Sequence, residues 1–561
     1  MATGNREAAR LLGEIGALLE IQGENPFKIR AYTRAAEQID HLAEPLSSLS
    51  AEDLEAIPGV GKAIAGKIQE ILKTGTCAEL ERLRAATPPG LIPLLALNGV
   101  GPKTVRKLWT ELGVDGIEAL EAAARSRRIR ALKGFGAKKE DDILKAIAEA
   151  KDGAGRMNRA EAERLAAALT AAIPGDSWVA GSLRRGRSTI GDIDIVTTAP
   201  PRETSLALRR IADAVIDEGE RKISVTIGGR RADIRFADPG SIGAMLLYLT
   251  GSKAFNIRLR EIAGRKEMRL NEYGLTDRGS GNLLTFPTEE GVFSALGMSP
   301  VPPELREDRG EVEAALSGAL PPLLDETEIK GDLHVHSEWS DGVLSLEEIA
   351  AEGERMGYDY ILITDHAAGI GITHGLDAQR LEKQRQEIRA VNRTASCTLL
   401  AGVEADILPD GRLSLPDAAL EACDLVVASV HSAFRHDGDT MTRRVIAALE
   451  NEHVDILGHP TARLIGHRPG TALDIGRVIE AAAATGTALE INASPTRMDL
   501  DDIYIRQAKE RDVILAIGTD AHRKPEFAHM RYGVALARRG WCGPADVLNT
   551  RTADALLERR R

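Results

Sequence analysis

Two carboxylates at alternate positions of an apolar segment constrain this chain more than any other feature. Asp192 and Asp194 follow a Gly-Ser turn at Gly181 and Ser182, and they lie at the start of the apolar stretch 193–196. Alternate residues of a β-strand point to the same face, so both carboxylates are placed to bind the same hard cations. The pattern predicts a buried strand that carries a metal site.

A third carboxylate, Asp233, lies on a second apolar-alternating segment, residues 231–236. Three carboxylates on neighbouring strands suit two Mg²⁺ ions about 3.5–4 Å apart, which clamp the attacking and leaving oxygens of a phosphoryl displacement. Arg184 and Arg185 add two guanidinium groups, which are natural partners of a triphosphate. An Asp-x-Asp pair alone is usually a solvated loop, so the prediction of a metal site depends on the third carboxylate and the two arginines.

The run of Gly-Ser, Arg-Arg and Gly-Asp-x-Asp over residues 181–194 resembles the nucleotidyltransferase palm of family X DNA polymerases. By this resemblance, Asp192 and Asp194 hold both Mg²⁺ ions of the polymerase site. Asp233 would hold the catalytic ion and help to activate a 3′-hydroxyl. The resemblance assigns dNTP binding to Gly181, Ser182 and Arg185.

Residues 248–260 resemble the turn and helix that follow the palm in the same family. By resemblance, Tyr248 lies near the sugar, Asn256 reaches the minor-groove edge of the base and Arg260 contacts the template. Leu249 replaces the usual Phe, which leaves sugar discrimination open. Residues 271–275 also match the family's thumb pattern. The Gly-Ser turn adds Gly251 and Ser252 to the predicted substrate-binding residues.

Residues 1–150 are predicted to be helical, and a Gly-x-Gly turn before a helix recurs in them three times. Such a turn leaves backbone N–H groups free at the helix N-terminus, where a phosphate can be cradled. One such turn is only a tight turn, but the repetition resembles helix-hairpin-helix modules, which hold the DNA backbone without reading its sequence. Nearby lysines would add electrostatic attraction. The predicted DNA-binding residues are Gly59, Gly61, Lys62, Gly99, Gly101, Lys103, Gly134 and Gly136.

Residues 24–36 resemble the start of the small N-terminal domain of the same family, which binds the 5′-phosphate side of a gap. In that family, a lysine six residues beyond the second hairpin glycine can act as a Schiff-base nucleophile on 5′-deoxyribose phosphate. Lys67 occupies this position. A nucleophilic lysine needs a depressed pKa, for which Lys62 and Arg30 are candidate cationic neighbours. A solvated lysine on a helix is the alternative.

From about residue 330, short β-rich runs alternate with helical stretches, which predicts a parallel α/β barrel. Most of these runs lead into a strong metal ligand, and C-terminal strand ends converge on one face of such a barrel. Mixed histidine and carboxylate ligands suit Mn²⁺, Zn²⁺ or Fe²⁺ better than Mg²⁺. The segment resembles a PHP (polymerase and histidinol phosphatase) domain, which implies up to three ions, Mn²⁺ or Zn²⁺. The nine ligand positions are His334, His336, Asp341, His366, Glu404, His431, His459, Asp520 and His522.

A basic loop lies between two of the predicted strands. Arg463, His467 and Arg468 on this loop would either hold a DNA phosphate or face solvent, and the sequence favours neither.

Composition sets wider bounds. The 561 residues suggest several domains, and 43% hydrophobic with 28% charged residues is the balance of a soluble globular protein. A net charge of −12 argues against a nucleic-acid partner, but local basic stripes such as residues 125–130 outweigh net charge in a multi-domain chain. The four cysteines lack CxxC spacing, so neither a zinc ribbon nor a disulfide framework is indicated. A signal-peptide core and runs of about 18 apolar residues are lacking, so we expect a cytoplasmic protein without a membrane partner.

The resemblance covers nearly the whole chain and predicts a multi-domain architecture. We expect α-helical helix-hairpin-helix N-terminal domains, an α+β nucleotidyltransferase palm with a thumb, and a C-terminal α/β PHP domain that forms a distorted (β/α)7 barrel. The predicted units are a lyase-like helix-hairpin-helix domain (1–85), fingers (86–150), palm (151–238), thumb (239–310), a linker (311–329) and the PHP domain (330–561).

This order of domains resembles bacterial family X DNA polymerases. It implies a DNA repair polymerase that fills short gaps, with dNTPs and gapped or nicked DNA as partners, and we expect a monomer. The PHP domain would act as a 3′–5′ exonuclease and an AP-endonuclease-type phosphodiesterase. The alternatives are a polymerase with a structural PHP domain, a phosphatase acting on a small phosphate ester, and a non-catalytic DNA-end scaffold.

Overall fold

The computed structural model describes residues 5–40, 46, 49–57, 59–97, 100–153, 156–368, 374–434 and 436–558. The described part of residues 5–153 is helical and contains no strand, as predicted. Local signals fix several helix ends: Ser50 and Asp53 form a capping box, and Gly75 ends a helix with φ +78°. The helices are α1 (Asn5–Gln22), α2 (Pro26–Asp40), α3 (Ala51–Ala56), α4 (Lys62–Thr74), α5 (Ala78–Ala85), α6 (Pro102–Leu112), α7 (Ile117–Arg125) and α8 (Ala137–Gly153).

These helices enclose two apolar cores. Leu12 and Ile68 lie in the first core, between α1 and α4. Val105 and Leu120 lie in the second, which α6, α7 and α8 surround. Ile21 near the end of α1 lies in the second core, so α1 connects the two cores. The domain boundary near residue 85 stays a prediction.

A five-stranded mixed sheet follows, in the order β2-β4-β7-β6-β5, with β4 and β7 parallel and the other pairs antiparallel. Ile193 and Ile195 of β4 pack in one core with Ala166 and Leu169 of α9. The elements are β1 (Met157–Asn158), α9 (Arg159–Ala172), β2 (Ser177–Val179), α10 (Gly181–Arg184), β3 (Thr189–Ile190), β4 (Ile193–Thr197), α11 (Pro201–Leu208), β5 (Ala214–Glu218), β6 (Lys222–Ile227) and β7 (Arg230–Phe236).

Residues 242–317 pack around Phe255, Leu259 and Phe293. The segment 311–329, for which we expected a linker, is folded: Val312 lies in this core, and Leu324 lies in the core of the C-terminal domain. This corrects the expectation of an open connector, because Val312 and Leu324 are buried in the cores on either side of the segment. The elements are α12 (Ile242–Thr250), α13 (Lys253–Arg265), β8 (Met268–Asn271), β9 (Gly274–Asp277), β10 (Leu283–Leu284), α14 (Glu289–Leu296) and α15 (Glu311–Ser317).

The C-terminal domain holds seven described strands that pair in parallel and in chain order, β11 to β17, which confirms the predicted (β/α)7 barrel. The first and last strands meet where Asp520 N–H donates to His334 C=O and His336 N–H donates to Ala521 C=O, both at 2.9 Å. The strands are β11 (Gly331–Val335), β12 (Tyr360–Ile363), β13 (Thr398–Asp406), β14 (Leu425–Ser429), β15 (Ile456–Leu457), β16 (Ala488–Asn492) and β17 (Leu515–Gly518).

The interior of this barrel changes from apolar to polar along its strands. On β13, Leu400 and Glu404 share one face because alternate residues of a strand do so. Leu400 belongs to an interior cluster with Leu362 and Val427, so Glu404 lies above apolar residues at the carboxyl end of the barrel. The helices are α16 (Leu346–Met356), α17 (Ala378–Val391), α18 (Asp417–Glu421), α19 (Gly438–Leu449), α20 (Ile475–Thr485), α21 (Asp502–Lys509), α22 (Met530–Arg539) and α23 (Ala553–Glu558).

Within the described ranges, no helix is both long and apolar enough to cross a membrane.

Candidate metal centres

The first candidate centre is the predicted carboxylate set of the five-stranded sheet. Asp194 of β4 and Asp233 of β7 are direct partners in the register of the parallel pair. Asp192 is exposed and precedes β4 by one residue, so the strand begins between the two aspartates of the motif. The sheet therefore brings together two carboxylates that are 39 positions apart in the sequence.

Among the three carboxylates of this centre, Asp194 lies in an environment that disfavours its ionised form. Burial raises its pKa to about 7, and the negative charges of Asp192 and Asp233 act in the same direction. A bound cation would stabilise the ionised form of Asp194, because it offsets the repulsion between the carboxylates. The donor set of the three side chains therefore fits the predicted Mg²⁺ ions.

Asp233 is engaged by two cationic side chains. Lys222 Nζ lies 2.8 Å from Asp233 Oδ2, and Arg231 Nε lies 3.1 Å from Asp233 Oδ1. Burial would raise the pKa of Asp233, but hydrogen bonds from Lys222, Ser224 and Arg231 outweigh it and hold the pKa below its ordinary value. A metal ion at Asp233 would therefore compete with these cations.

The two motif arginines are both paired with carboxylates from residues 289–307. Arg184 forms two hydrogen bonds with Glu289, at 2.9 and 2.6 Å. Arg185 donates from Nε to Glu307 Oε1 at 3.0 Å and from Nη1 to the Thr250 carbonyl at 2.7 Å. Ser182 lies beside them on α10. The structure thus holds the two guanidinium groups in ion pairs with Glu289 and Glu307. Triphosphate binding by Ser182 and Arg185 stays a prediction.

The predicted nucleotide-contacting residues share one cleft, which Tyr248, Asn256 and Arg260 line. Asn256 Nδ2 donates to the Tyr248 carbonyl at 2.7 Å, and the Arg260 guanidinium lies 5.6 Å from the centre of the Tyr248 ring. Ser252 caps α13 by accepting the Phe255 N–H at 3.1 Å. Gly251 ends α12, and a β-carbon there would lie 2.7 Å from Asn256 Oδ1.

The three predicted hairpin turns share one backbone hydrogen bond. Val60, Val100 and Phe135 donate their N–H groups to the carbonyls of residues 57, 97 and 132, at 2.9, 3.0 and 3.0 Å. Gly59 and Gly134 adopt φ values of +91° and +84°. Gly99 lies outside the described residues. Gly61 and Gly101 precede α4 and α6 without a capping side chain, Gly136 precedes α8, and Lys62 and Lys103 are exposed.

Lys67 is half-buried on α4. Its Nζ donates to the Ala63 carbonyl at 3.2 Å and lies 6.0 Å from the centre of the Tyr32 ring. Its predicted lyase role stays a prediction.

The second candidate centre lies at the carboxyl end of the barrel, where the predicted histidines and carboxylates converge. Glu404 lies between several of them: its Oε1 is 3.0 Å from His459 Nε2 and its Oε2 is 2.9 Å from His366 Nδ1. Three overlapping groups have ligand atoms within 4.8 Å of one another. The groups are His336, Asp341, His366 and His522; His334, His336 and Asp520; and His366, Glu404 and His431.

Buried polar atoms in this cluster lack hydrogen-bond partners within the described structure. They include His334 Nε2, both ring nitrogens of His336 and His459 Nδ1. Leaving such atoms unsatisfied costs about 1–3 kcal/mol each. Metal ions would satisfy them, so this observation fits a multi-metal site.

Two of the predicted ligands, His336 and Glu404, carry the charges that metal binding requires. Burial, together with His522 and His366, lowers the pKa of His336 to about 3, so the imidazole is neutral and able to bind a metal. Burial would raise the pKa of Glu404, but His431, His366 and His334 outweigh it and hold that pKa well below its ordinary value.

Three residues around the ligands were not anticipated from the sequence. Asp406 Oδ1 lies 2.6 Å from His431 Nδ1, and Glu490 Oε1 lies 2.6 Å from His334 Nδ1. Each contact fixes an imidazole so that its Nε2 faces the cluster. Arg497 donates from Nε to Asp520 Oδ2 at 3.2 Å, and its Nη1 is buried without a partner among the described residues. The position of Asp406 two residues after Glu404 on one strand was the available signal for the first of them.

The basic loop is tied to the protein. Arg463 Nε donates to the Arg497 carbonyl at 2.7 Å, and Arg468 Nη2 donates to the Ala462 carbonyl at 2.8 Å. These two guanidinium groups therefore hold the loop in place.

The two centres define a nucleotidyltransferase joined to a metal-dependent phosphoesterase, and comparison with known proteins agrees. Residues 245–307 match the DNA polymerase beta thumb, 3–77 a helix-hairpin-helix domain, 91–149 a SAM-like helix-hairpin-helix tandem and 332–494 the PHP domain. "DNA polymerase/3′-5′ exonuclease PolX" of Bacillus subtilis is 39% identical, over 99% of both chains. The chain belongs to the family X DNA polymerases that carry a PHP domain.

Shorter matches cover each half. Rat DNA polymerase lambda is 29% identical over 50% of this chain and 52% of its own length. A probable phosphatase of Caldanaerobacter subterraneus is 35% identical over 34% of this chain and 75% of its own length.

Proposed function

We propose that this chain is a DNA repair enzyme that fills short gaps at its palm and trims 3′ ends at its PHP domain. One observation carries the proposal: a single chain that aligns over 99% of its length with a named polymerase and exonuclease holds both the Asp194–Asp233 strand pair and a cluster of eight predicted ligands, with His459 3.0 Å from Glu404 in that cluster. It would act as a monomer on gapped or nicked DNA, with dNTPs as substrates.

At the palm, Asp192 and Asp194 would hold two Mg²⁺ ions, and Asp233 would help to hold the catalytic ion. When bound, the ions supply charge neutralisation at the attacking and leaving oxygens. Asp233 accepts hydrogen bonds from Arg231 and Lys222, so it stays ionised and able to help to activate the 3′-hydroxyl. Catalysis then rests mainly on positioning and on preorganised charge.

The substrate is held by groups on both sides of the carboxylates. Gly181, Ser182 and Arg185 bind the triphosphate, and the residues of the Tyr248 cleft bind the sugar, the base and the template. The hairpin turns grip the DNA backbone through helix N-termini. Lys67 lies on α4 of the module that binds the 5′-phosphate side, and it would act as the lyase nucleophile.

At the PHP domain, the nine predicted ligands would hold up to three ions, Mn²⁺ or Zn²⁺, and these would supply Lewis-acid activation of a phosphodiester. Arg497 lies beside the ligand Asp520, and its Nη1 has no partner among the described residues, so we assign it to the scissile phosphate. The reaction releases nucleotides from a 3′ end and extends to cleavage at abasic sites.

The test is a labelled-primer assay on a single-nucleotide gap, with Mg²⁺ or Mn²⁺, and with or without dNTPs. Asp192→Ala/Asp194→Ala should lose extension only, and His334→Ala/His336→Ala should lose shortening only. A wild-type enzyme that shortens DNA but never extends it would contradict the palm assignment. One that extends but never shortens would contradict the PHP assignment.

A phosphatase is the second candidate, because the match to a probable phosphatase spans a third of the chain. Hydrolysis of a small phosphate ester without action on DNA would support it.

A further inference from the structure

The PHP domain packs directly on the turn that carries the palm's second arginine. Gly186 adopts φ +71°, and a β-carbon at Gly186 would lie 3.5 Å from Ala535 Cβ and 3.7 Å from Arg539 Cδ. Both of these residues belong to α22. The turn that follows Arg185 is therefore shaped against a helix of the other catalytic domain.

Arg539 is the central side chain of this contact. It is 4% exposed and bridges two carboxylates and the backbone carbonyls of Arg185 and Glu304. Its Nη1 donates to the Arg185 carbonyl at 2.7 Å, and its Nη2 lies 3.1 Å from Glu307 Oε1 and 2.5 Å from Asp502 Oδ2. A buried guanidinium with this many charged partners has one preferred geometry.

Glu307 connects Arg539 to the Arg185 side chain. The same oxygen, Glu307 Oε1, accepts the Arg185 Nε–H at 3.0 Å. Burial would raise the pKa of Glu307, but Arg185, Arg539 and Arg187 outweigh it and hold that pKa low, so the carboxylate is ionised. Arg539 thus contacts both the backbone of Arg185 and the carboxylate that orients its guanidinium.

We propose that Arg539 of the PHP domain is a positioning residue for nucleotidyl transfer, because it fixes Arg185 in the orientation that binds the dNTP triphosphate. The proposal rests on the proposed palm function. A long arginine side chain must lose rotamer freedom to bind a ligand, and a side chain that is already ordered loses less. The PHP domain therefore contributes to the polymerase site as well as to its own.

The same helix offers a matched control. Arg531 also reaches the palm, where its Nη2 lies 2.8 Å from Glu163 Oε2, and Tyr532 donates to the same oxygen at 2.9 Å. Both pairs hold the domains together through Glu163, which also pairs with Arg159 at 2.9 Å, whereas Arg539 contacts Arg185 and Glu307 themselves. Loss of the Arg531 pair weakens the interface without releasing Arg185.

The experiment measures kcat and KM for the incoming dNTP on a single-nucleotide gap, in the full-length enzyme. Arg539→Met and Glu307→Gln should each raise KM about tenfold with kcat changed less than about threefold, because hydrogen bonds to a charged group are lost. Arg531→Met should leave both constants as in the wild type. Arg539→Lys should give an intermediate KM, because it keeps the charge but not the bridging geometry.

Exonuclease activity without dNTPs, together with a thermal melt, reports whether each variant is folded. If Arg539→Met does not fold, Glu307→Gln and Arg539→Lys carry the test. An unchanged KM in folded variants would overturn the inference, and so would an equal rise in Arg531→Met, which would indicate general loosening of the interface. A wild-type enzyme that fails to extend primers would instead overturn the proposed palm function.

Discussion

Gly181 lies so close to Asp194 that a β-carbon at Gly181 would stand 2.2 Å from Asp194 Oδ2. Gly181 also adopts φ +63°, a region that side-chain-bearing residues rarely occupy. The turn before the strand and the carboxylate on the strand therefore occupy adjoining space, which only glycine permits.

Gly181→Ala should consequently lower primer extension by about a hundredfold, because the carboxylate must shift by about 1 Å. Exonuclease activity should not change, since it belongs to the barrel. Gly229→Ala is the matched control: Gly229 has φ +71°, but a β-carbon there would meet no atom of the described residues within 4 Å, so it reports backbone strain alone. Equal losses of extension in the two variants would contradict the role of the Asp194 contact.

Asp406→Ala should weaken metal binding in the barrel by about 10- to 100-fold, because His431 loses the carboxylate that orients its ring. The measurement is the Mn²⁺ concentration that gives half-maximal exonuclease activity. Asp410→Ala provides the control, since Asp410 is exposed and pairs at the surface with Arg412. The same Mn²⁺ requirement in Asp406→Ala and wild type would show that the contact is incidental.

Lys62→Ala should weaken binding to gapped DNA, because Lys62 begins α4 at a predicted phosphate-binding turn. The slope of log K against log salt concentration should fall by about 0.9, which corresponds to one phosphate contact. Lys73→Ala removes the same charge from the last turn of the same helix and should leave the slope unchanged. Equal slopes for the two variants would show that Lys62 makes no phosphate contact beyond that of an ordinary surface lysine.

Asp499→Asn should alter the pH dependence of stability. Burial raises the pKa of Asp499 to about 6, although Arg463 and Thr461 oppose the shift. The folded state therefore holds a proton that the unfolded state releases near pH 4, so this carboxyl's contribution to stability falls as pH rises from about 4 to 6. An amide removes the titration, and it can still accept the Thr461 N–H and donate to Thr461 Oγ1, which contact the carboxylate at 2.9 Å each.

The melting temperature of Asp499→Asn relative to wild type should therefore be higher at pH 7 than at pH 4. If the variant and the wild type differ in melting temperature by the same amount at pH 4 and pH 7, the pKa of Asp499 is not raised.

Most ligands of the candidate metal centre in the barrel could be predicted from the sequence. Asp520 and His522 follow β17 by two and four residues, and His366 follows β12 by three, so prediction of the strands also placed the ligands. Parallel strands in chain order bring such positions to one rim. The Asp192–Asp194 motif was equally local, although the strand begins only at Ile193. Residues 311–329 were predicted less well, because prolines and acidic residues suggested a linker where Val312 and Leu324 are buried.

The sequence by itself thus determined the classes of fold and the residues that follow periodic or strand-end patterns, since backbone geometry dictates those patterns over a few residues. Only the tertiary structure decided which charges meet. His431 and Asp406 are 25 positions apart, His334 and Glu490 are 156 apart, and Arg185 and Arg539 are 354 apart. Ion pairs and burial depend on which distant surfaces dock, and no local periodicity encodes that choice.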